Sequence, residues 1–251
     1  MLEQILQDKR AEVARLDEKL VRNVRPSTRS LSYSIGTGRE SMSLFVELKR
    51  RDPHEGDIRP HLDPVALANQ LQEIGVAGLV VTTESRYWGG SRNDLVEIDR
   101  HGVQLPLIRN DFIVEEMQLY ESRRAGADSV LLRPGLLDAP ALASALRVVA
   151  SMHMVGVVLV SNGDELDRAL ETDAPVIAVS NRDFETGVID LERTLGLAPR
   201  VPASRSVLSC FGIRSAADVR RLRGQVDAVC LGSALLRAED PVAYLTQLAD
   251  A

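Results

Sequence analysis

Lysine is scarce in this chain of 251 residues. Lys9, Lys19 and Lys49 are its only lysines, and arginine supplies the rest of its 30 basic residues. The 36 acidic residues give a formal net charge of −6, and these charges are spread along the chain rather than gathered in one segment. Proteins that follow a phosphate backbone concentrate Lys and Arg on one face, so we expect no nucleic-acid partner.

Cysteine and histidine are also rare. The two cysteines are too few for a disulfide framework and lack the spacing of metal ligands, and the four histidines are scattered. These residues are Cys210, Cys230, His54, His61, His101 and His153. We therefore expect neither a metal nor a cofactor.

Long apolar runs are absent. No segment reaches the roughly 20 apolar residues that a membrane span requires, and the start MLEQILQDKR lacks the basic and then apolar order of a signal peptide. We expect a cytoplasmic protein without a membrane partner, acting on a small molecule as a monomer or a homodimer. The apolar fraction of 45% is enough to bury a sizeable core.

The first 24 residues have the spacing of a helix. Apolar side chains at Leu2, Ile5, Val13, Leu16 and Leu20 recur at helical intervals, and a polar segment follows at 26–43. The sequence therefore predicts one helix over 1–24 and a linker after it.

From residue 44 onwards, short apolar runs alternate with amphipathic stretches such as DPVALANQLQEIG and SAADVRRLRGQ. Eight of these runs read as strands. They are LFVELK (44–49), GLVVTT (78–83), LPLIR (105–109), SVLLR (129–133), GVVLV (156–160), PVIAVS (175–180), SVLSC (206–210) and AVCLG (228–232).

Eight strands alternating with helices predict an α/β fold, a (β/α)8 TIM barrel with an extra N-terminal helix. We expect a single domain over 1–251, of which 1–43 form a helical extension. A doubly wound open sheet is the structural alternative. A dinucleotide-binding version of it is disfavoured, because no glycine-rich loop follows the first strand.

The first strand carries two charges within its apolar run. Strand side chains alternate between faces, so Glu47 and Lys49 share one side of the strand. In a barrel, they would stand together at the mouth where substrates bind. A lysine beside a carboxylate there acts as a general acid or as an anchor for an anion, whereas the alternative is a purely structural ion pair.

Six segments carry more specific motifs. They are VELKRRDPHEG (46–56), YWGGSRNDL (87–95), IRNDFIVEEMQLYESRRAGADSVLL (108–132), SNRDFET (180–186), FGIRS (211–215) and LGSALLRAEDP (231–241). In order and spacing they resemble the indole-3-glycerol phosphate synthase family of tryptophan biosynthesis, over essentially the whole chain. The resemblance implies a (β/α)8 barrel whose N-terminal extension borders the active site. It also implies a decarboxylating lyase that closes an indole ring from a carboxyphenylamino deoxyribulose phosphate.

The resemblance implies roles for individual residues. Lys49 corresponds to a lysine that contacts the substrate during ring closure, and Glu47 to the glutamate beside it, so these and Asn110 occupy catalytic positions. Arg182 corresponds to an arginine that holds the substrate carboxylate. The other implied contacts are Ser180, Asn181, Tyr87, Trp88, Cys210 and Phe211 for the substrate, and Gly212, Gly232 and Ser233 for a phosphate.

Several departures from the family fall on its chemistry. Asn110 stands where the family has the lysine that acts as general acid, and an amide cannot donate a proton in this way at neutral pH. No glutamate lies within 157–163, where the family's fifth strand ends in a catalytic base. Cys210 and Phe211 replace a glutamate and a serine, and Asp52 stands in the phosphate region.

Loss of an acid, a base and a further carboxylate should leave little of the ancestral rate. The sequence therefore predicts a repurposed family member, with lyase or cyclisation chemistry on an anionic aromatic amine or a related small molecule, and with Lys49 and Glu47 at the mouth. Two alternatives stay open: a non-catalytic paralogue that binds a metabolite or a partner protein, and a weak but genuine indole-3-glycerol phosphate synthase. Whether the ligand carries a phosphate also stays open.

Overall fold

Eight parallel strands form a closed barrel in this computed structural model, which describes residues 1–37, 39 and 41–249. The strands are β1 (Ser43–Leu48), β2 (Gly78–Thr82), β3 (Leu107–Asn110), β4 (Ser129–Leu132), β5 (Val155–Val160), β6 (Val176–Ser180), β7 (Ser206–Cys210) and β8 (Ala228–Leu231). Strand β1 pairs with both β2 and β8, which closes the ring. The predicted (β/α)8 barrel is confirmed, and the closed ring excludes the doubly wound sheet.

Helices alternate with the barrel strands and surround them. Within the described residues, the α-helices are α1 (Leu2–Val13), α2 (Leu31–Ile35), α3 (Pro64–Glu73), α4 (Arg92–Arg100), α5 (Met117–Arg124), α6 (Ala139–Ser151), α7 (Gly163–Leu170), α8 (Glu192–Leu197), α9 (Ala216–Leu222), α10 (Ser233–Arg237) and α11 (Pro241–Ala249). A two-stranded hairpin, Arg51–Asp52 with Gly56–Asp57, follows β1. None of the helices described is long and apolar enough to span a bilayer.

Short polar side chains define where several helices begin. Asp63 accepts hydrogen bonds from the first turn of α3, and Pro64 follows it at a position where a missing N–H costs nothing. Asn162 accepts a hydrogen bond of 2.9 Å from the backbone N–H of Glu165 at the start of α7. Glu165 therefore lies in the first helical turn, directly above the end of β5.

The alternation of β1 places its charged residues inside the barrel. Phe45 packs in the apolar cluster of the barrel interior, whereas Val46 and Leu48 pack in the cluster between the strands and the helices. Glu47 lies on the same face as Phe45, one step closer to the mouth, and Lys49 follows it. The side chains of β1 that point into the barrel are thus apolar far from the mouth, at Phe45, and charged near the mouth, at Glu47 and Lys49.

The N-terminal segment does not form the single helix predicted over 1–24. Helix α1 ends at Val13, and a separate 3-10 turn, Glu18–Val21, begins where the Asp17 side chain accepts a hydrogen bond from the backbone N–H of Lys19. An aspartate at this position favours a new cap over continuation of the helix. The segment predicted as a linker also contains α2.

Helix α2 closes the end of the barrel opposite the mouth. Leu31 and Ile35 are buried in the interior cluster, and Ser206 at the start of β7 donates a hydrogen bond of 2.7 Å to the carbonyl of Gly36. Arg29, just before α2, pairs with the buried carboxylate of Asp128 at 2.6 Å. The N-terminal segment therefore reaches both ends of the barrel, because α1 lies at the mouth.

Candidate active site

A cavity of about 240 Å³ opens at the carboxyl ends of the barrel strands. This is the end at which (β/α)8 enzymes hold their active sites. Charged side chains from β1, β3, β4 and β6 or the loops after them form its floor, and aromatic side chains form one wall. Leu2 of α1 also lines the cavity.

Glu47 and Lys49 form a buried ion pair at the floor. The ammonium Nζ of Lys49 lies 3.0 Å from Oε2 of Glu47 and 3.2 Å from Oδ2 of Asp52. Burial by itself would lower the pKa of Lys49, but the two carboxylates outweigh it and hold that pKa above its ordinary value. Lys49 therefore keeps its proton at neutral pH.

Arg182 belongs to the same network. Its Nη1 lies 3.1 Å from Oδ1 of Asp52, and its Nη2 pairs with Glu55. Burial acts to raise the pKa values of Asp52 and Glu55, but Lys49 and Arg182 reverse this effect and lower both. Each of the two cations at this side of the floor is thus bound to two carboxylates of the protein.

Asn110 links two charged groups across the floor. Its Nδ2 donates hydrogen bonds to Oε1 of Glu47 at 3.1 Å and to the Thr82 hydroxyl at 3.2 Å. Its Oδ1 accepts a hydrogen bond of 3.2 Å from Nη2 of Arg133. Both ends of the amide are therefore engaged, one by an anion and one by a cation.

Three aromatic rings form the wall of the cavity. The ring centroid of Trp88 lies 5.7 Å from that of Phe112 and 6.1 Å from that of Phe184. Trp88 lines the cavity. The ring of Tyr87 packs edge-on against the ring of Trp88, with 6.3 Å between the centroids, and Tyr87 is not part of the cavity lining. Such a wall suits the face of an aromatic ligand.

The other residues implied by the resemblance occupy different places. Ser180 and Phe211 line the main cavity. Asn181 and Cys210 are buried and outside it: the Asn181 amide donates to the Ser209 hydroxyl at 2.9 Å, and Cys210 packs in the barrel interior. Neither side chain reaches the cavity lining, so a role of Asn181 and Cys210 in substrate contact stays a prediction.

The three phosphate positions line a second, much smaller space. Gly212, Gly232 and Ser233 surround a cavity of about 10 Å³ next to Glu47 and Arg182. A space of that size holds about one water molecule. The carboxylate of Glu47 lies so close to Gly232 that an added Cβ would meet its Oε2 at 2.7 Å.

Sequence reasoning missed several charged groups of the cavity, of which Glu165 and Arg133 stand next to positions that the family uses. Glu165 reaches back from α7, and its carboxylate accepts hydrogen bonds from the backbone N–H and the hydroxyl of Ser161 at 2.7 and 2.9 Å. A carboxylate thus stands at the end of β5 although the strand itself contains no glutamate. Arg133 follows β4 directly, and its position after a barrel strand was a usable signal.

Helix α1 is tied to the mouth by a buried ion pair. Nζ of Lys9 lies 3.0 Å from Oδ1 of Asp111, and both side chains are almost fully buried. Asp111 also accepts hydrogen bonds from Arg109 at 2.8 Å and from the Thr83 hydroxyl. Because Asp111 follows Asn110, this network holds α1 against the strand that supplies the amide of the site.

Comparisons with known proteins agree with this architecture. The family profile described as "Indole-3-glycerol phosphate synthase" matches residues 2–248. An indole-3-glycerol phosphate synthase of Geobacillus sp. (strain WCH70) is 35% identical over 251 residues, covering 99% of this chain and 96% of that protein. That of Pelodictyon phaeoclathratiforme (strain DSM 5477 / BU-1) is 35% identical over 243 residues, covering 93% of this chain and 94% of that protein.

Solved structures support the fold. A 3-hexulose-6-phosphate synthase matches with a TM-score of 0.67 at 17% identity, covering 83% of this chain and 99% of that chain. A tryptophan synthase subunit alpha from Legionella pneumophila str. Paris matches with a TM-score of 0.60 at 14% identity, covering 89% of this chain and 97% of that chain. At these identities the likeness concerns the barrel alone. From the family profile and the full-length relatives, the chain belongs to the indole-3-glycerol phosphate synthase family.

Proposed function

We propose that this family member is a lyase-type enzyme whose cavity binds a small anionic aromatic amine, with Lys49 and Glu47 at the floor of the site. The observation that carries the proposal is their ion pair of 3.0 Å, in which Lys49 faces an open cavity with an aromatic wall and Glu47 faces the small second cavity. Desolvating a lysine and a carboxylate is costly, so a pair that borders a binding cavity points to a use in binding or chemistry.

Lys49 acts in this proposal as a fixed positive charge and a hydrogen-bond donor. Because its pKa is raised, it holds its proton and stabilises negative charge that develops on a ligand oxygen. Glu47 and Asp52 keep the ammonium in place from one side. Glu165 is the carboxylate at the end of β5, where it is placed to accept a proton from the ligand.

Ion pairs at the floor disfavour a phosphate group beside Lys49 and Arg182. Asp52 and Glu55 already bind Arg182, and Glu55 also pairs with Arg237 at 3.3 Å. Lys49 is neutralised in the same way, so neither of these cations has a charge to spare for a dianion; Arg214, which lines the small second cavity without an ion pair among the described residues, is the cation left there. The main cavity of about 240 Å³ is also below the ~300 Å³ at which typical ligand sites begin, which favours a small ligand.

The family's own ring closure is the second candidate. The full-length relatives at 35% identity are indole-3-glycerol phosphate synthases, which favours it. Arg133 and Glu165 also supply a cation and a carboxylate beside Asn110 and Ser161, where the family motifs lose theirs. Neither group stands at the family's own position in the chain, and a proton donor must be placed accurately to be effective, so we expect this reaction to be slower than in the relatives.

A turnover assay separates the two candidates. Carboxyphenylamino deoxyribulose phosphate is incubated with the enzyme, and indole fluorescence is followed for the unmodified protein and for Lys49→Met. Lys19→Met is the matched control, because Lys19 is an exposed lysine outside the lining of the cavity. In parallel, anthranilate is titrated while the fluorescence of Trp88, the only tryptophan, is recorded.

We expect anthranilate to quench Trp88 in the unmodified protein and in Lys19→Met, and to do so only at higher concentration in Lys49→Met, with little or no indole formed by any of them. Rapid indole formation that disappears only in Lys49→Met would establish the second candidate instead. A protein that neither forms indole nor responds to anthranilate would contradict both and indicate a non-catalytic paralogue.

A further inference from the structure

We propose that Arg133 is the residue that recognises the carboxylate of the ligand in this cavity, and that Asn110 holds its guanidinium in position. The inference deepens the proposed function, because it rests on a ligand that is an aromatic carboxylate. It departs from the implication of the resemblance, which gives this task to Arg182.

The three cations at the floor of the cavity differ in how they are neutralised. Lys49 is bound to Glu47 and Asp52, and Arg182 is bound to Asp52 and Glu55. To take up a ligand carboxylate, either cation would have to share its charge with anions that already bind it. Neither is therefore the strongest anion site in the cavity.

Arg133 has no such partner among the residues that the structure describes. Its one hydrogen-bond partner is the amide oxygen of Asn110, and its buried Nε has no acceptor there. Burial lowers the pKa of Arg133 to about 10, with Glu165, Asp111 and Glu47 opposing this from a distance. The guanidinium therefore stays charged at neutral pH, largely removed from water and with no carboxylate partner among the described residues.

The surroundings of Arg133 define the kind of anion that fits. Its guanidinium carbon lies 5.2 Å from the centroid of the Phe112 ring, next to the wall formed with Trp88 and Phe184. A guanidinium offers parallel N–H donors that match a planar carboxylate, and the wall offers a face for a flat ring. A carboxylate attached directly to an aromatic ring satisfies both at once.

The same geometry explains the amide at position 110. Asn110 accepts from Arg133 through Oδ1 and donates to Glu47 through Nδ2. A lysine there would have no acceptor for Arg133 and would place a second cation beside it. Asn110 is thus a positioning residue. An amide at position 110 is compatible with Arg133 beside it, whereas the lysine of the family is not.

The test compares ligands that differ in their carboxylate. Anthranilate, benzoate and aniline are titrated into the full-length protein, and binding is followed by Trp88 fluorescence and by calorimetry. The variants are Arg133→Leu, Arg133→Gln, Asn110→Ala and Arg182→Leu. Arg147→Leu is the matched control, an arginine on the exposed side of α6.

We expect the unmodified protein and Arg147→Leu to bind both carboxylates more tightly than aniline. Arg133→Leu should weaken benzoate and anthranilate by about 10- to 100-fold, the value of one charge-assisted contact, and should leave aniline unchanged. If Arg133→Leu does not fold, Arg133→Gln keeps most of the side-chain length without the charge and should show the same selective loss. Asn110→Ala should weaken the carboxylates less than Arg133→Leu does, again without affecting aniline.

Two results would overturn the assignment. One is a preference for carboxylates that survives in both Arg133 variants but disappears in Arg182→Leu. The other is an unmodified protein that binds neither carboxylate more tightly than aniline. The proposed function is read separately, from the response of Trp88 to anthranilate and its weakening in Lys49→Met, so it can stand when the Arg133 assignment fails.

Discussion

Asp111 offers the sharpest test of how α1 is held over the active site. The substitution Asp111→Asn removes the negative charge that binds Lys9 at 3.0 Å and Arg109 at 2.8 Å, and it preserves the size of the side chain. Asp111 is only 1% exposed, so water cannot replace the lost partner. Lys9 keeps an ion pair with Glu12, and Arg109 keeps one with Glu121.

The magnitude follows from the pKa of Asp111. Burial acts to raise this pKa, but Arg109, Lys9 and the Thr83 hydroxyl outweigh it and lower the value from 3.8 to about 2. At 1.36 kcal/mol for each pKa unit, the charged form contributes about 2 kcal/mol to the free energy of unfolding. Because the folded pKa is lowered, this contribution is present above about pH 4 and is lost as the pH falls towards 2.

Urea unfolding of the unmodified protein and of Asp111→Asn measures the effect. We expect the variant to be less stable by about 2 to 4 kcal/mol at pH 7, the upper value including the two cations left with one carboxylate each. The difference should shrink as the pH falls below 4, because Asp111 itself becomes neutral. Asp167→Asn is the control, since its exposed ion pair with Arg200 should contribute less than about 1 kcal/mol.

Two outcomes would refute this reasoning. A loss below about 0.5 kcal/mol at pH 7 would mean that the buried ion pairs of Asp111 give no net stabilisation. A loss of the expected size that is the same at pH 7 and pH 3 would mean that the effect comes from packing, not from the charge.

Two further substitutions test the charge arrangement elsewhere. Asn110→Lys places a second cation near Arg133, and at about 4 Å the repulsion is about 4 kcal/mol. The variant should melt at a lower temperature, and Arg133→Leu added to it should recover most of the loss; strictly additive effects would exclude contact between the two positions. Arg29→Leu removes the 2.6 Å ion pair with Asp128 and should cost about 3 kcal/mol in urea unfolding. Arg147→Leu should leave stability unchanged, and an equal loss there would contradict the ascribed role of Arg29.

Much of the fold could be predicted from local patterns. Alternating apolar runs and amphipathic stretches predicted eight strands and a barrel, and the structure contains both. The N-terminal prediction was wrong because apolar spacing continues past Val13, while the cap at Asp17 starts a new turn. Periodicity reports which side chains share a face, but it does not report where a competing cap ends a helix.

The site was predictable only in part. The period of two placed Glu47 and Lys49 on one face of β1, and their 3.0 Å contact follows from that local geometry. The absence of a glutamate in β5 was read correctly, yet a carboxylate still reaches the end of that strand from Glu165. A search confined to strand positions misses a side chain that folds back from the next helix.

The sequence alone determined the barrel, its family and the pairing of Glu47 with Lys49, because these depend on patterns between near neighbours or on motifs in fixed order. Only the tertiary structure decided which cations are neutralised. Arg182 meets Asp52 across 130 positions of the chain, whereas Arg133 meets the amide of Asn110 and no carboxylate among the described residues. Closure of the barrel brings these strand ends together, and local periodicity carries no information about which charges then face one another.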